Sequence, residues 1–255
     1  MLFALDIGNS NIVLGCIDGS DVRHVSRMAT DIKTTAKEYA VKIRAMLDFD
    51  GLDCNEFEGV VLASVVPPIT DCMCTAIQML TGQTPLVVGA GIKTGLNIQI
   101  DNPAQLGADL VIAAVAAMEL WKPPLVIIDM GTATTFSVID SAGVFRGGAI
   151  TPGLRLSLDA LSSGTSQLPK IPIEAPKSAI GKNSIDSMKS GGVFGTSAMI
   201  DGMIDLFEAE LGEKTTVIAT GGIASLVVRY CAHKIFIDDN LLLRGLGIIW
   251  YKNRK

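Results

Sequence analysis

Apolar positions recur along this chain in two periods, and the switches between them mark out the elements. Short apolar runs closed by turn residues predict strands over residues 22–28, 59–65, 86–88, 125–129, 136–139, 216–220 and 235–237, with a short one near Phe145 and a hairpin of two more at the start of the chain. Helical spacing predicts a helix over 35–48 with Tyr39, Ile43, Met46 and Leu47 on one face. It predicts others over 71–80 (stopped by Gly82), 104–120 (opened by Pro103), from Pro152 to near Gly164, 195–211 and 241–251. In the helix over 195–211 the inner stripe is Met199, Met203, Leu206 and Phe207. Residues 89–102 read as a loop over a cleft and Gly147-Gly148 as a turn, while Pro169, Pro172 and Pro176 keep 167–176 extended. Strands interleaved with helices give an α/β class.

One pattern occurs twice. Val126-Ile127-Ile128-Asp129-Met130-Gly131-Thr132-Ala133-Thr134-Thr135 is matched near the start by Leu2-Phe3-Ala4-Leu5-Asp6-Ile7-Gly8-Asn9-Ser10-Asn11, an apolar strand ending in Asp-x-Gly. The following residues also correspond: 11–19 parallels 135–143, a second strand closed by an Asp/Gly turn. A strand-end Asp can hold a hydrated cation, and Gly lets backbone N–H groups approach phosphate oxygens. A single such hairpin is more often a plain polar turn. Two copies half a chain apart predict two related domains facing each other across a phosphate, and Trp121-Lys122-Pro123-Pro124 reads as the hinge, giving domains 1–121 and 122–255.

Composition narrows the classes. The chain has 255 residues, 49% of them hydrophobic, enough for a sizeable core. Its longest apolar run, 110–118, lies between Asp109 and Glu119 and is far short of the ~18 residues of a membrane span. Without a basic segment followed by an apolar one at the start, a cytoplasmic location is expected. The 5 cysteines include no C-x-x-C pair and suit reduced thiols, and 2 histidines leave almost no material for a zinc site or a Ser-His-Asp triad. A net charge of −5 with scattered aromatics argues against nucleic acid, while loops can still bind small anions. A phosphate loop of the G-x-x-x-x-G-K-[ST] type fails because Pro176 stands where its first Gly belongs, and no G-x-G-x-x-G opens a helix after a strand.

With Thr220-Gly221-Gly222-Ile223-Ala224 downstream, the paired loops resemble those of the acetate and sugar kinase/actin superfamily, and more specifically the type III pantothenate kinases. Asp101-Asn102-Pro103, Gly107-Ala108-Asp109, the glycine-rich stretch 147–153, Gly181-Lys182-Asn183-Ser184 and Gly245-Leu246 fit the same family in order, from Leu5 to about Asn253. The resemblance implies two ribonuclease H-like domains and transfer of the ATP γ-phosphoryl group to the primary hydroxyl of pantothenate, the first step towards coenzyme A. It also implies a homodimer with substrate and cation sites near the subunit interface. Carried over by residue, Asp6, Ile7, Gly8, Asn9, Ser10, Asn11, Ile12, Val13, Thr132, Gly221 and Gly222 handle ATP, with Asp6 ordering Mg²⁺ through water. Asp129 matches the ligand of a monovalent cation, K⁺ or NH₄⁺, a role that suits a hard carboxylate. Asp109 matches the group that accepts the proton of the attacking hydroxyl and orients it, and Ile100, Gly107, Ala108, Leu110 and Ser184 match the pantothenate side.

Some positions depart from the family. Ser10 and Ser184 stand where Thr is commoner and keep the hydroxyl. Ile100 replaces an aromatic, and Leu110 replaces the Arg that usually follows Gly-Ala-Asp, so pantothenate specificity is open to question. Arg244 stands where an acidic residue is more usual, which raises the expectation that it supplies, from either subunit, the missing positive charge near the pantothenate carboxylate. On the residues alone, Asp109 also reads as a capping or surface Asp and Gly221-Gly222 as a tight strand end. A kinase of another small hydroxylated metabolite and a non-catalytic nucleotide-binding regulator are the alternatives. The regulator predicts lost carboxylates or an added partner domain, whereas Asp6, Asp109 and Asp129 are all present.

Overall fold

The structure, a computed structural model, describes residues 1–254. The chain opens with strands β1 (Leu2–Ile7), β2 (Asn11–Asp18) and β3 (Asp21–Ala29), then helix α1 (Ala36–Phe49), β4 (Gly59–Ser64), α2 (Pro67–Thr81) and β5 (Leu86–Val87). These strands form one sheet in the order β3-β2-β1-β4-β5, with β1 antiparallel to β2 and parallel to β4. Phe3, Leu5 and Ile7 point to one face and pack with Tyr39 and Ile43 of α1 and with Ile69, Met73 and Ile77 of α2. Leu2 and Ala4 point to the other face, so β1 is buried on both sides and reads as a continuous apolar run. Thr35 and Glu38 form a reciprocal capping box that starts α1. Helix α2 starts at Pro67 rather than at residue 71, because a proline in the first turn gives up an N–H that would have no helical partner. Gly82, at φ 71°, ends it.

The chain continues through β6 (Asn97–Ile98), α3 (Ala108–Leu120), β7 (Leu125–Met130), β8 (Ala133–Ile139), β9 (Val144–Pro152), α4 (Leu154–Gly164), α5 (Ser184–Leu211), β10 (Thr216–Thr220), α6 (Ala224–Val228), β11 (Ile235–Ile237) and α7 (Leu241–Asn253). The second sheet has the order β11-β10-β7-β8-β9-β6. Without β6 it repeats the first: a central strand antiparallel to a hairpin partner on one side and parallel to a later strand on the other. Side-chain facing repeats as well, since Val126, Ile128 and Met130 pack with Leu154 and Leu158 of α4 and Ile200 and Ile204 of α5.

Several boundaries differ from the sequence reading. Residues 103–105 form a separate single turn, and α3 starts only at Ala108. Gly147 and Gly148 lie inside β9, where Gly148 passes against the Phe136 carbonyl too closely for a Cβ, so they mark an irregularity in pairing and no reversal of the chain. Helix α5 begins at Ser184, and its buried stripe is Val193, Ser197, Ile200 and Ile204; Met199, Met203 and Phe207 border the core and Leu206 is exposed. Two residues of the supposed loop 89–102 form β6.

By contacts the chain falls into two compact units, one holding Met1–Leu96, Asn102–Ala116 and the stretch from Asn240 on, the other Asn97–Asp101 and Ala117–Asp239. A single cut between 121 and 122 does not describe them. Helix α7 returns to the first unit, burying Leu243, Leu246 and Ile249 against Leu2, Ala4 and Val61, and its Gly245 abuts the backbone of Ile112 in α3.

Candidate active site

In the first unit, Asp6 is half-buried near the end of a strand whose other residues are covered, and Gly8, Asn9, Ser10 and Asn11 form the turn to β2. The Gly8 N–H donates to the Asn11 carbonyl at 3.0 Å and closes that turn, while Ile7, Ile12 and Val13 are strand residues paired behind it. By strand alternation Asp6 shares the sheet face of Leu2 and Ala4, the face covered by Ile112 and Val115 of α3.

Helix α3 carries Asp109 in its first turn. Leu110 donates its N–H to Asp109 Oδ1 at 2.9 Å. A Cβ on Gly107 would overlap that same Oδ1, so the Gly107-Ala108-Asp109 sequence has a steric reason: residue 107 must be bare for the carboxylate to fold back over it. Burial raises the Asp109 pKa above the ordinary carboxylate value, partly offset by the N–H groups of Leu110 and of Asp109 itself.

In the second unit, Asp129, Thr132, Gly153 and Gly221 converge at one end of the sheet. Asp129 is half-buried and in register with Thr220 on β10 and Thr135 on β8. The turn after it is one residue shorter than its counterpart, since Met130 pairs with Thr134 where Ile7 pairs with Ile12. Gly221, at φ 99°, lies so close to Met130 that a Cβ would stand 2.6 Å from its carbonyl oxygen. Gly222 follows, exposed, before α6. The Gly153 N–H donates to the Thr132 carbonyl at 3.0 Å.

Ile100, also in the second unit, is half-buried over Gly147 of β9. Ser184 opens α5 beside its N-cap Asn183 and lines a cavity of about 850 Å³ between α4 and α5, with Leu154, Leu158 and Met199 among its apolar walls. Arg244 Nη1 donates to the Ser20 carbonyl at 2.8 Å, in the turn between β2 and β3. Among the described residues one group, Asp205, Glu208 and His233, brings possible metal ligands within 4.8 Å of one another. Glu208 is already engaged by Lys214 at 2.6 Å and the Thr215 N–H at 2.9 Å, contacts that tie α5 to the start of β10.

Residues 2–206 match the family model described as type III pantothenate kinase. A protein from Exiguobacterium sp. named type III pantothenate kinase is 40% identical over 255 residues, covering 100% of each chain. Among solved structures, a Campylobacter jejuni protein described as a Baf family transcriptional activator is similar with a TM-score of 0.61 at 19% identity, covering 98% of each chain. The ROK hexokinase of Thermus thermophilus is similar with a TM-score of 0.52 at 13% identity, again covering 98% of each chain. Likeness at such identity is a likeness of fold, and it agrees with the two-domain α/β fold that the family resemblance implies.

Proposed function

This chain belongs to the type III pantothenate kinase family, and on that premise we propose that it transfers the γ-phosphoryl group of ATP to the primary hydroxyl of pantothenate, with Asp109 as the group that receives the hydroxyl proton. The observation that carries this assignment is the bare Gly107 beneath the Asp109 carboxylate. The N–H of Leu110 fixes Oδ1, and the carboxylate so held accepts from the substrate hydroxyl. A raised pKa brings the carboxylate closer to the working range of a general base, and orienting the hydroxyl matters at least as much in a loose phosphoryl-transfer transition state.

The turn 8–11 in one unit, and Thr132 with Gly153 and Gly221 in the other, are each read as suited to ATP: Gly153 and Gly221 let their backbone pack directly on that of Thr132 and Met130, and turns of this kind can offer N–H groups to an anion. Asp6 and Asp129 are half-buried carboxylates at matching strand ends, hard oxygen donors of the kind that suit hydrated Mg²⁺ and a monovalent cation such as K⁺ or NH₄⁺. When bound, those cations offset charge on the transferring phosphoryl group. Ile100, Ala108, Leu110 and Ser184 are the proposed pantothenate side, and Leu110 offers its carboxylate no charge.

We also read the protein as a cytoplasmic homodimer. Ile150, Ile180, Leu156, Leu161 and Ile185 are exposed on β9, on α4 and around the start of α5, apolar groups that a partner subunit could cover. No helix among the described residues is long and apolar enough to cross a membrane. Sedimentation at micromolar concentration reads the dimer directly. The substrate is tested by presenting Mg-ATP with pantothenate and a panel of other small alcohols and detecting phosphorylated products by mass spectrometry. Pantothenate should be the preferred acceptor; preference for another alcohol would reassign the substrate.

A further inference from the structure

Thr30, which no motif marks, stands just after β3 and meets the turn 8–11 twice. Its N–H donates to the Ser10 carbonyl at 3.0 Å, and its Oγ1 donates to the Gly8 carbonyl at 2.7 Å. A trans peptide is planar, with C=O and N–H on opposite sides. With the Gly8 carbonyl turned towards Thr30, the Asn9 N–H points the other way; with the Ser10 carbonyl turned towards Thr30, so does the Asn11 N–H. Two amide hydrogens of the turn are therefore aimed to the side away from β3, the arrangement by which successive backbone N–H groups hold an anion.

The second copy shows what the hydroxyl adds. There the strand equivalent to β3 is β9, and its end also gives an N–H to the turn, from Gly153 to the Thr132 carbonyl at 3.0 Å. No side chain is possible at that point: a Cβ on Gly153 would overlap the carbonyl oxygens of Gly131 and Thr132, because this turn is one residue shorter and lies closer. The shorter turn takes a backbone N–H from Gly153, whereas the longer one has one more peptide. The Thr30 hydroxyl is the group that holds that peptide.

We propose that Thr30 is a positioning residue for nucleotide binding, whose hydroxyl fixes the Gly8–Asn9 peptide so that the turn presents its N–H groups to the phosphates of ATP. The inference rests on the reading of turn 8–11 as a nucleotide loop. Thr30 itself touches no substrate. Its effect runs through the orientation of one peptide, so it falls on ATP and spares pantothenate.

The test compares Thr30→Val, which keeps the shape and the backbone N–H, with Thr30→Ser, which keeps the hydroxyl, and with Asp6→Asn. Binding of a non-hydrolysable ATP analogue with Mg²⁺ is measured by calorimetry, KM for ATP and for pantothenate by initial rates, and the amide resonances of Asn9 and Asn11 by NMR with and without the analogue. Loss of one hydrogen bond of ordinary strength predicts a roughly three- to tenfold weaker ATP affinity in Thr30→Val. Thr30→Ser should bind nearly as wild type, the pantothenate KM should stay put, and the two amide resonances should shift in Thr30→Val. Thr30 is only half-buried, so a misfolded Val variant is not expected; should its melting temperature collapse, the amide shifts and ATP KM of Thr30→Ser against Thr30→Ala decide the same question. If Asp6→Asn weakens binding while Thr30→Val and Thr30→Ala bind as wild type, the positioning role is wrong and the nucleotide loop stands. If Asp6→Asn also binds as wild type and the Asn9 and Asn11 resonances ignore the analogue, the loop reading itself falls.

Discussion

Gly107 lies where only a hydrogen fits beneath Oδ1 of Asp109, so the glycine and the carboxylate two residues on form one structural unit. Helix α3 is entered over a bare backbone position, and the Leu110 N–H then holds the carboxylate in place. Gly107→Ala should push the carboxylate aside without touching the nucleotide turns. Displacement of a reacting group by about 1 Å can cost ~10²-fold, so kcat should fall by roughly ten- to a hundredfold with ATP affinity unchanged by calorimetry. An Ala variant with wild-type kcat would show that the carboxylate position is immaterial.

Asp109→Asn should separate activity from stability. The loss in kcat should be ~10²–10⁴-fold, the usual span for a general base. Stability should move the other way. Burial raises the folded-state pKa above the unfolded value, so the folded protein holds the proton to higher pH and loses stability as pH rises through the interval between the two values. Above that interval the penalty is complete; below the unfolded value it is absent. Thermal melting should therefore show Asp109→Asn more stable than wild type at pH 7 and equal to it at pH 3. A lower melting temperature at pH 7 would contradict the burial argument.

Asp129 as a monovalent-cation ligand predicts higher turnover in potassium or ammonium chloride than in sodium chloride at equal ionic strength. Asp129→Asn should flatten that difference. Equal rates of the wild type in all three salts would remove the ion from the account.

Thr134 is fully buried at the start of β8, and its hydroxyl has no hydrogen-bond partner among the described residues. An unpaired buried hydroxyl costs ~1–3 kcal/mol. Thr134→Val, of the same shape, should raise the melting temperature by roughly 2–4 °C per kcal/mol for a chain of this size. A drop would show that the hydroxyl is satisfied.

The doubled hairpin was legible because two strands buried on both faces give unbroken apolar runs, and each ends in the same Asp-x-Gly. Asp6 and Asp129 stand out through the repeat, whereas Asp109 is singled out only by the family resemblance. Other features hide in sequence for physical reasons. Ser190, Gly191 and Gly192 interrupt the apolar period of α5, so its first turns read as loop. Gly147 and Gly148 look like a turn and are a close strand crossing. The return of α7 to the first sheet is a long-range contact with no local signal. Thr30 carries no motif, and only the coordinates of its hydroxyl reveal its part.

The most direct test of the central claim is ³¹P NMR of the purified protein with Mg-ATP, potassium and pantothenate. A phosphomonoester resonance of phosphorylated pantothenate should grow in step with ADP and be lost in Asp109→Asn. ADP appearing without that resonance, or the resonance persisting at full rate in Asp109→Asn, would contradict the account.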